Sequence, residues 1–420
     1  MTLLWRVRLE SLIYCRLMAR FCFARYNTGQ TMTTTEPTRS IRWGILGTAR
    51  IATKVGRAIH RARGAVLAAV ASRDKSRAQA WVAGHTRGAG AADDSSRWHW
   101  GVTQGVGRVE SLRGPPPLLP EAGLPRLDPP DSAFLDPGTA VAACGSYLEI
   151  LQDPNIDAVY IPLPPSLHCQ WTCLAAEHGK HVLCEKPLGM NLAEAQRMAD
   201  ACTAADRQLM DGVMWVHHER TAAMREIIRS DKLGLLRRVT AGFSQNGDDL
   251  GRQNIRFQRE LGGGALGDLG WYCVGAMLWA FGELPERVFA TARYERDVDM
   301  SLSAMLWFRE DRMASFDCGF DVVWRKWFEI AGICGSIVCD DFVNPWDASK
   351  ARFWVHDSQG KGTQHLFPNG VQEVRMIEKF CDIVRSGHLD AAWPSAALAT
   401  QRVCDAVAHS ARIGSIVELT

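Results

Sequence analysis

"IRWGILGTARIATKVGRAI", residues 41–59, decides the fold. An apolar run, Ile41 to Leu46, meets a glycine, and an amphipathic pattern starts at once. A buried strand that turns at Gly47 into a helix opens a βα unit, and the same alternation continues down the chain. "AVLAAVASR" (65–73) reads as a second buried strand and "DKSRAQAWVAG" (74–84) as its helix. Further on come the helix "SYLEILQDP" (146–154), the strand "IDAVYIPLP" (156–164) and the helix "SLHCQWTCLAAEHG" (166–179). The strand "KHVLCEKP" (180–187), a helix from Asn191 as N-cap, and the strand "QLMDGVMW" (208–215) complete the run. Continuous apolar strands joined by helices predict a doubly wound parallel sheet with both faces covered.

The texture changes near residue 217. "HHERTAAMREIIRSDKLG" (217–234) reads as helix, and then strand-like runs follow one another to "RFWVHD" (352–357). Two helical segments end the chain. The expected fold class is α/β: an N-terminal Rossmann-type doubly wound sheet, then a C-terminal α+β domain with an open, mostly antiparallel sheet. The domain limits read as 41–216 and 217–420. Residues 84–140 are rich in proline and glycine and read as a disordered insertion. Residues 1–40 are Arg-rich at their start, with a second methionine at Met32, and read as an extension outside the fold.

Composition narrows the function. The 420 residues carry a net charge of +2, too near neutral to indicate nucleic acid as a partner. No apolar run reaches the ~20 residues of a membrane-spanning helix. Thirteen cysteines without a CxxC pair point to reduced thiols in the cytoplasm, and no spacing suggests a metal site.

At the first βα turn the dinucleotide pattern G-x-G-x-x-G/A is met by Gly47-Thr48-Ala49-Arg50-Ile51-Ala52, with Ala49 in place of the middle glycine. The helix N-terminus offers free N–H groups to a pyrophosphate. The second strand ends in Ser72-Arg73, where an NAD site places an acid. An Arg there pairs with a 2′-phosphate, so NADP(H) is preferred over NAD(H). Asp74 follows one step late and is free to cap the next helix.

Two motifs carry chemistry. "CEKPLG" (184–189) places Lys186 at the carboxyl end of a buried strand, where open α/β sheets hold their ligands. "GGGALGDLGWY" (262–272) sets Asp268 and Tyr272 four residues apart, on one face of a helix that begins there. With "GILGTARIA" and "IPLPPSLH", these stretches stand in the order of the Gfo/Idh/MocA oxidoreductases, which the chain resembles over residues 41–83 and 141–420. The Tyr form of the second motif resembles the glucose–fructose oxidoreductase and dihydrodiol dehydrogenase branch.

That resemblance implies an oxidoreductase acting on CH–OH groups of a sugar or cyclic diol by hydride transfer. It implies Tyr272 as acid/base, Lys186 beside the nicotinamide, and Asp268 as an orienting group. A neighbouring ammonium is expected to lower the phenol pKa. Pro162, His168 and Glu185 join the turn residues as implied cofactor contacts, and His217, His218 and Arg256 as substrate contacts. Pro165 stands where the family commonly has Asn. A homo-oligomer through the C-terminal sheet is implied too. A nucleotide-binding sensor of the same fold, without activity, is the competing class.

Overall fold

The structure, a computed structural model, describes residues 39–86, 133–247, 250–251, 253–368 and 370–419. The extension before residue 39 and the insertion between 87 and 132 lie outside the described residues.

The first sheet has six parallel strands: β1 (Ile41–Leu46), β2 (Ala65–Ala71), β3 (Ala142–Cys144), β4 (Ala158–Ile161), β5 (His181–Cys184) and β6 (Leu209–Asp211). Their order is β3-β2-β1-β4-β5-β6, so the winding reverses between β1 and β4. Ligands of such sheets bind outside the carboxyl ends of the strands at that reversal. Helices α1 (Arg50–Arg61), α2 (Lys75–His85), α3 (Tyr147–Gln152), α4 (Pro165–Glu177) and α5 (Leu192–Ala204) make the crossovers. Local chemistry starts two of them: the Asn191 side chain accepts from Glu194 N–H at 3.0 Å, and Asp74 accepts from Ser76 N–H at 2.9 Å. Asp74 is therefore a helix cap.

The ends of the insertion belong to the fold. Phe134 and Leu135 are buried, both of their N–H groups donate to His85 O, and Thr86 pairs with Leu135. The segment outside the sheet is thus shorter than residues 84–140.

After α6 (Glu219–Arg229) comes a nine-stranded sheet. Its strands are β7 (Leu236–Asn246), β8 (Arg287–Glu295), β9 (Val298–Trp307), β10 (Met313–Gly319), β11 (Asp321–Gly332), β12 (Gly335–Cys339), β13 (Arg352–Asp357), β14 (Gly362–Leu366) and β15 (Val417–Glu418). They lie in the order β14-β13-β12-β11-β7-β10-β9-β8-β15, and β7 with β10 is the parallel pair among antiparallel ones. Along β9, Val298, Met300, Leu302, Ala304 and Leu306 are buried while the residues between them are not, as a sheet covered on one face requires. Helix α7 (Trp271–Phe281) covers that face.

The chain then returns. Helix α8 (Gln372–Ser386) sets Met376, Ile377 and Phe380 into the core of the first domain, with the Phe380 ring 4.9 Å from Trp43. Helix α9 (Ala392–Ile413) packs on both α5 and β8. A cut at residue 217 therefore misses that α8 completes the dinucleotide-type domain.

Candidate active site

Four strand ends and one irregular helical turn build the site. At the end of β1, Gly47 has φ +127°, a conformation that favours glycine, and its N–H donates to Ala71 O at 2.9 Å. Ala49 has φ −64°, which alanine adopts without strain, and no side chain caps the helix that follows. The positive dipole end of α1 therefore lies at a turn that no side chain caps, beside Thr48, Arg50 and Ile51, with Ala52 N–H donating back to Ala49 O at 2.8 Å. This uncapped cradle fits a pyrophosphate. Pro162 lines it beside Gly47. Arg73 is exposed at the end of β2, whereas Ser72 is buried and its Oγ accepts from Asp74 N–H at 3.4 Å.

The glycine-rich motif works through the backbone. Gly264 has φ +130°, and a Cβ there would lie 2.1 Å from Asp299 Oδ1. Asp299 accepts from Leu266 N–H at 2.7 Å and anchors a π-helical turn, Leu266–Gly270, that runs into α7. Such turns recur at functional sites because they re-aim one side chain. Here Asp268 sits in the turn and Tyr272 just past it.

Across the junction, Lys186 of the first domain reaches both. Its Nζ donates to Asp268 O at 2.7 Å and to Asp268 Oδ1 at 2.8 Å, and it lies 5.0 Å from the Tyr272 ring centroid. Arg256 Nε donates to Asp268 Oδ2 at 2.6 Å. Burial opposes the Asp268 charge, yet Lys186 and Arg256 together hold its carboxyl well below the usual carboxylate range.

The phenol departs from expectation. Burial first, and then Glu185, Asp268 and Asp211, raise the Tyr272 hydroxyl well above its ordinary value. Burial outweighs the opposing pull of the nearby Arg256 cation. Tyr272 rests as a neutral phenol.

Three histidines leave the expected site. His168 is fully buried, with its ring nitrogens 2.9 Å from Pro187 O and 2.8 Å from Leu163 O, and it fastens two strand-end loops. His217 stacks on Trp393 at 4.8 Å, and burial pushes it down to about 3. His218 Nδ1 accepts from Arg220 N–H at 3.1 Å, which makes it the N-cap of α6. Arg256 is held by Asp268 and keeps its side chain one-third exposed. Glu185 is buried and accepts from Tyr160 Oη at 2.6 Å. Pro165 packs across the junction, 2.6 Å from where a Cβ on Gly262 would stand.

The structure adds residues that no motif announced. Tyr272 continues into Phe243 (5.5 Å between centroids), Trp324 (6.5 Å from Phe243) and Trp346 (6.4 Å from Trp324). Lys326 lies under Trp346, 3.7 Å from its centroid. Asp211, at the end of β6, is buried, and the neighbouring Trp271 side chain lowers its carboxyl against the effect of burial. Aromatic residues scattered over 100 positions carry no spacing signal, so only the fold brings them together. Among the described residues no cluster of metal ligands occurs, and no helix is long and apolar enough to cross a membrane.

Comparison with known proteins agrees with this architecture. Residues 123–213 match the oxidoreductase family NAD-binding Rossmann fold, and residues 221–338 match the GFO/IDH/MocA C-terminal domain. The chain is 33% identical to D-xylose 1-dehydrogenase (NADP(+)) 2 of Haloferax volcanii over 290 residues, 69% of this chain and 88% of that protein. It is 32% identical to trans-1,2-dihydrobenzene-1,2-diol dehydrogenase of Sus scrofa over 195 residues, 46% of this chain and 57% of that protein. Among solved structures, KijD10, a 3-ketoreductase from Actinomadura kijaniata in complex with NADP and TDP-benzene, superposes with a TM-score of 0.70 at 25% identity, covering 89% of this chain and 98% of that one. The extent of the first match, together with both domain matches, means that the chain belongs to the Gfo/Idh/MocA family of oxidoreductases.

Proposed function

We propose that this oxidoreductase uses NADP(H) to interconvert a secondary alcohol and its ketone on a sugar or cyclic diol. One observation carries the reading: Lys186 from one domain and Asp268 and Tyr272 from the other converge at a single junction. The Gly47–Ile51 turn holds the pyrophosphate, with Pro162 beside it, and Arg73 takes the 2′-phosphate. When bound, the nicotinamide supplies or accepts the hydride. Tyr272, resting as the phenol, donates its proton to the oxygen of a ketone as that oxygen becomes an alkoxide. Lys186, held by Asp268, stabilises the negative charge that develops there and on the phenolate left behind. This resting state suits ketone reduction, and alcohol oxidation runs the same steps in reverse. Arg256 holds Asp268 from the other side. A homo-oligomer formed through the sheet face turned away from the helices belongs to the same reading.

The test is turnover by the purified chain with NADPH and a panel of ketoses and cyclic ketones, followed by NADP with the matching alcohols. Reduction faster than oxidation at neutral pH is expected. Cofactor binding with no turnover across the panel would favour the sensor class instead.

Two substitutions probe its parts. Arg73→Ala is expected to weaken NADP binding about 10- to 100-fold while sparing NAD, since a hydrogen bond to a charged group is worth about 1.5–3 kcal/mol. Fluorescence titration with both dinucleotides reads the ratio, and an unchanged ratio removes Arg73 from the phosphate site. Trp324 is 44% exposed at right-angle contact with Trp346 and offers an aromatic wall to a substrate ring. Trp324→Ala is expected to raise KM about 10-fold, or about 1.4 kcal/mol, with a smaller change in kcat. A KM left where it was would place the substrate elsewhere.

A further inference from the structure

Three carboxylates and two cations meet at the junction. Asp268 engages both cations, Lys186 and Arg256. Lys54 is paired with Glu373 at 2.5 Å. Glu185 and Asp211 make no ion pair with a described residue. They leave neighbouring strand ends, for Cys184 and Asp211 are register partners and Gly212 N–H donates to Cys184 O at 2.7 Å. A Cβ on Gly212 would lie 2.7 Å from Glu185 Oε1, so the glycine makes room for that carboxylate. Glu185 accepts from the Tyr160 hydroxyl at 2.6 Å, and the carboxyl of Asp211 is influenced by the side chain of Trp271, the residue before Tyr272. Both acids are under a tenth exposed.

The groups that act on them are Tyr160 of β4, Cys184 of β5, Lys186 in the following turn, Lys54 of α1 and Trp271 and Tyr272 of α7. Ionising both acids would leave an uncompensated negative charge in a water-poor junction, which is costly. Electroneutrality therefore leaves one proton between them. Burial and the neighbouring Glu185 push Asp211 up to about 7, and burial raises Glu185.

We propose that Glu185 and Asp211 are a proton-holding pair of positioning residues, which release their proton to solvent when the cationic ring of oxidised NADP enters the junction and keep it when the neutral reduced ring enters. The inference rests on the dinucleotide reading above. The pair in its ionised form favours a cation, and that form grows as pH rises. Affinity for NADP therefore climbs with pH, by up to about tenfold per unit below the pair's titration, while affinity for NADPH is nearly level by comparison.

Calorimetric titration of the full chain with NADP and with NADPH, in buffers of different ionisation heats from about pH 6.5 to about pH 8.5, counts the protons released. Both forms carry the same adenine and phosphates, so the difference between them isolates the ring. Wild type is expected to release up to about one proton more with NADP than with NADPH near neutral pH. Asp211→Asn and Glu185→Gln are expected to abolish that excess. Equal proton counts for the two forms in the wild type overturn the proposal, whether or not the variants fold. So does an excess that survives in both variants. If both forms bind with equal counts, the dinucleotide reading stands and only the pair's role falls; if neither form binds, both fall.

Discussion

Tyr272→Phe should cut turnover by about 10²–10⁴-fold, the usual worth of a positioned general acid, while cofactor affinity stays nearly intact. The ring itself is structural. It packs 5.5 Å from Phe243 and lies under Lys186 Nζ, and Phe keeps both contacts. Only the hydroxyl is lost, and with it the proton that meets the alkoxide. Since the hydroxyl rests protonated, the wild-type reductive rate should be flat from about pH 6 to about pH 8 on the phenol's account. The oxidative rate, which needs the phenolate, should rise across the same range. Single-turnover measurements in both directions separate the chemical step from product release. A Phe variant that turns over as fast as wild type would remove the proton role from Tyr272 and assign it to another group.

Much of this site was legible because strand ends are local features. An apolar run that stops at Gly47 or Lys186 marks the carboxyl edge of a parallel sheet, and short motifs survive there intact. The glycine-rich stretch also announced itself, since Gly264 at φ +130° against Asp299 admits no side chain. What escaped was long-range. Asp211 lies outside any motif and matters only because β6 pairs with β5. The pairing of Lys186 with Asp268 spans 82 positions, and the burial that raises the phenol, against the expectation of a lowered one, exists only once the two domains pack together. The adjacent His217 and His218 looked like ligands at a domain junction. One instead stacks on Trp393 of a returning helix, a role that depends on where that helix comes back, and the other caps α6 through a local bond to Arg220 N–H. The Pro/Gly-rich insertion hid Phe134 and Leu135, whose two-residue apolar signal is too short for a periodicity to show.

The other large effect belongs to Asp268→Ala. Lys186 and Arg256 approach each other only because a carboxylate lies between them. Removing it leaves two like charges in a confined junction, their side chains 12% and 33% exposed. Breaking such a pair typically costs about 3–5 kcal/mol, and the partial exposure of Arg256 sets the expectation near about 3 kcal/mol. Denaturant unfolding of both proteins measures it. The sign with pH follows from the carboxyl's depressed titration. Its contribution is complete above the ordinary Asp value of about 3.9 and is lost only as pH falls through the lower folded-state value. The gap between wild type and variant should therefore be constant from about pH 5 to about pH 8 and narrow in strong acid. Asp268→Asn keeps an acceptor for one cation, so it should recover part of the stability. It should not recover turnover, because the neutral amide no longer holds the Lys186 ammonium against Tyr272. A variant as stable as wild type at neutral pH would mean that the two cations find other partners. Asp268 would then be a bystander to the junction.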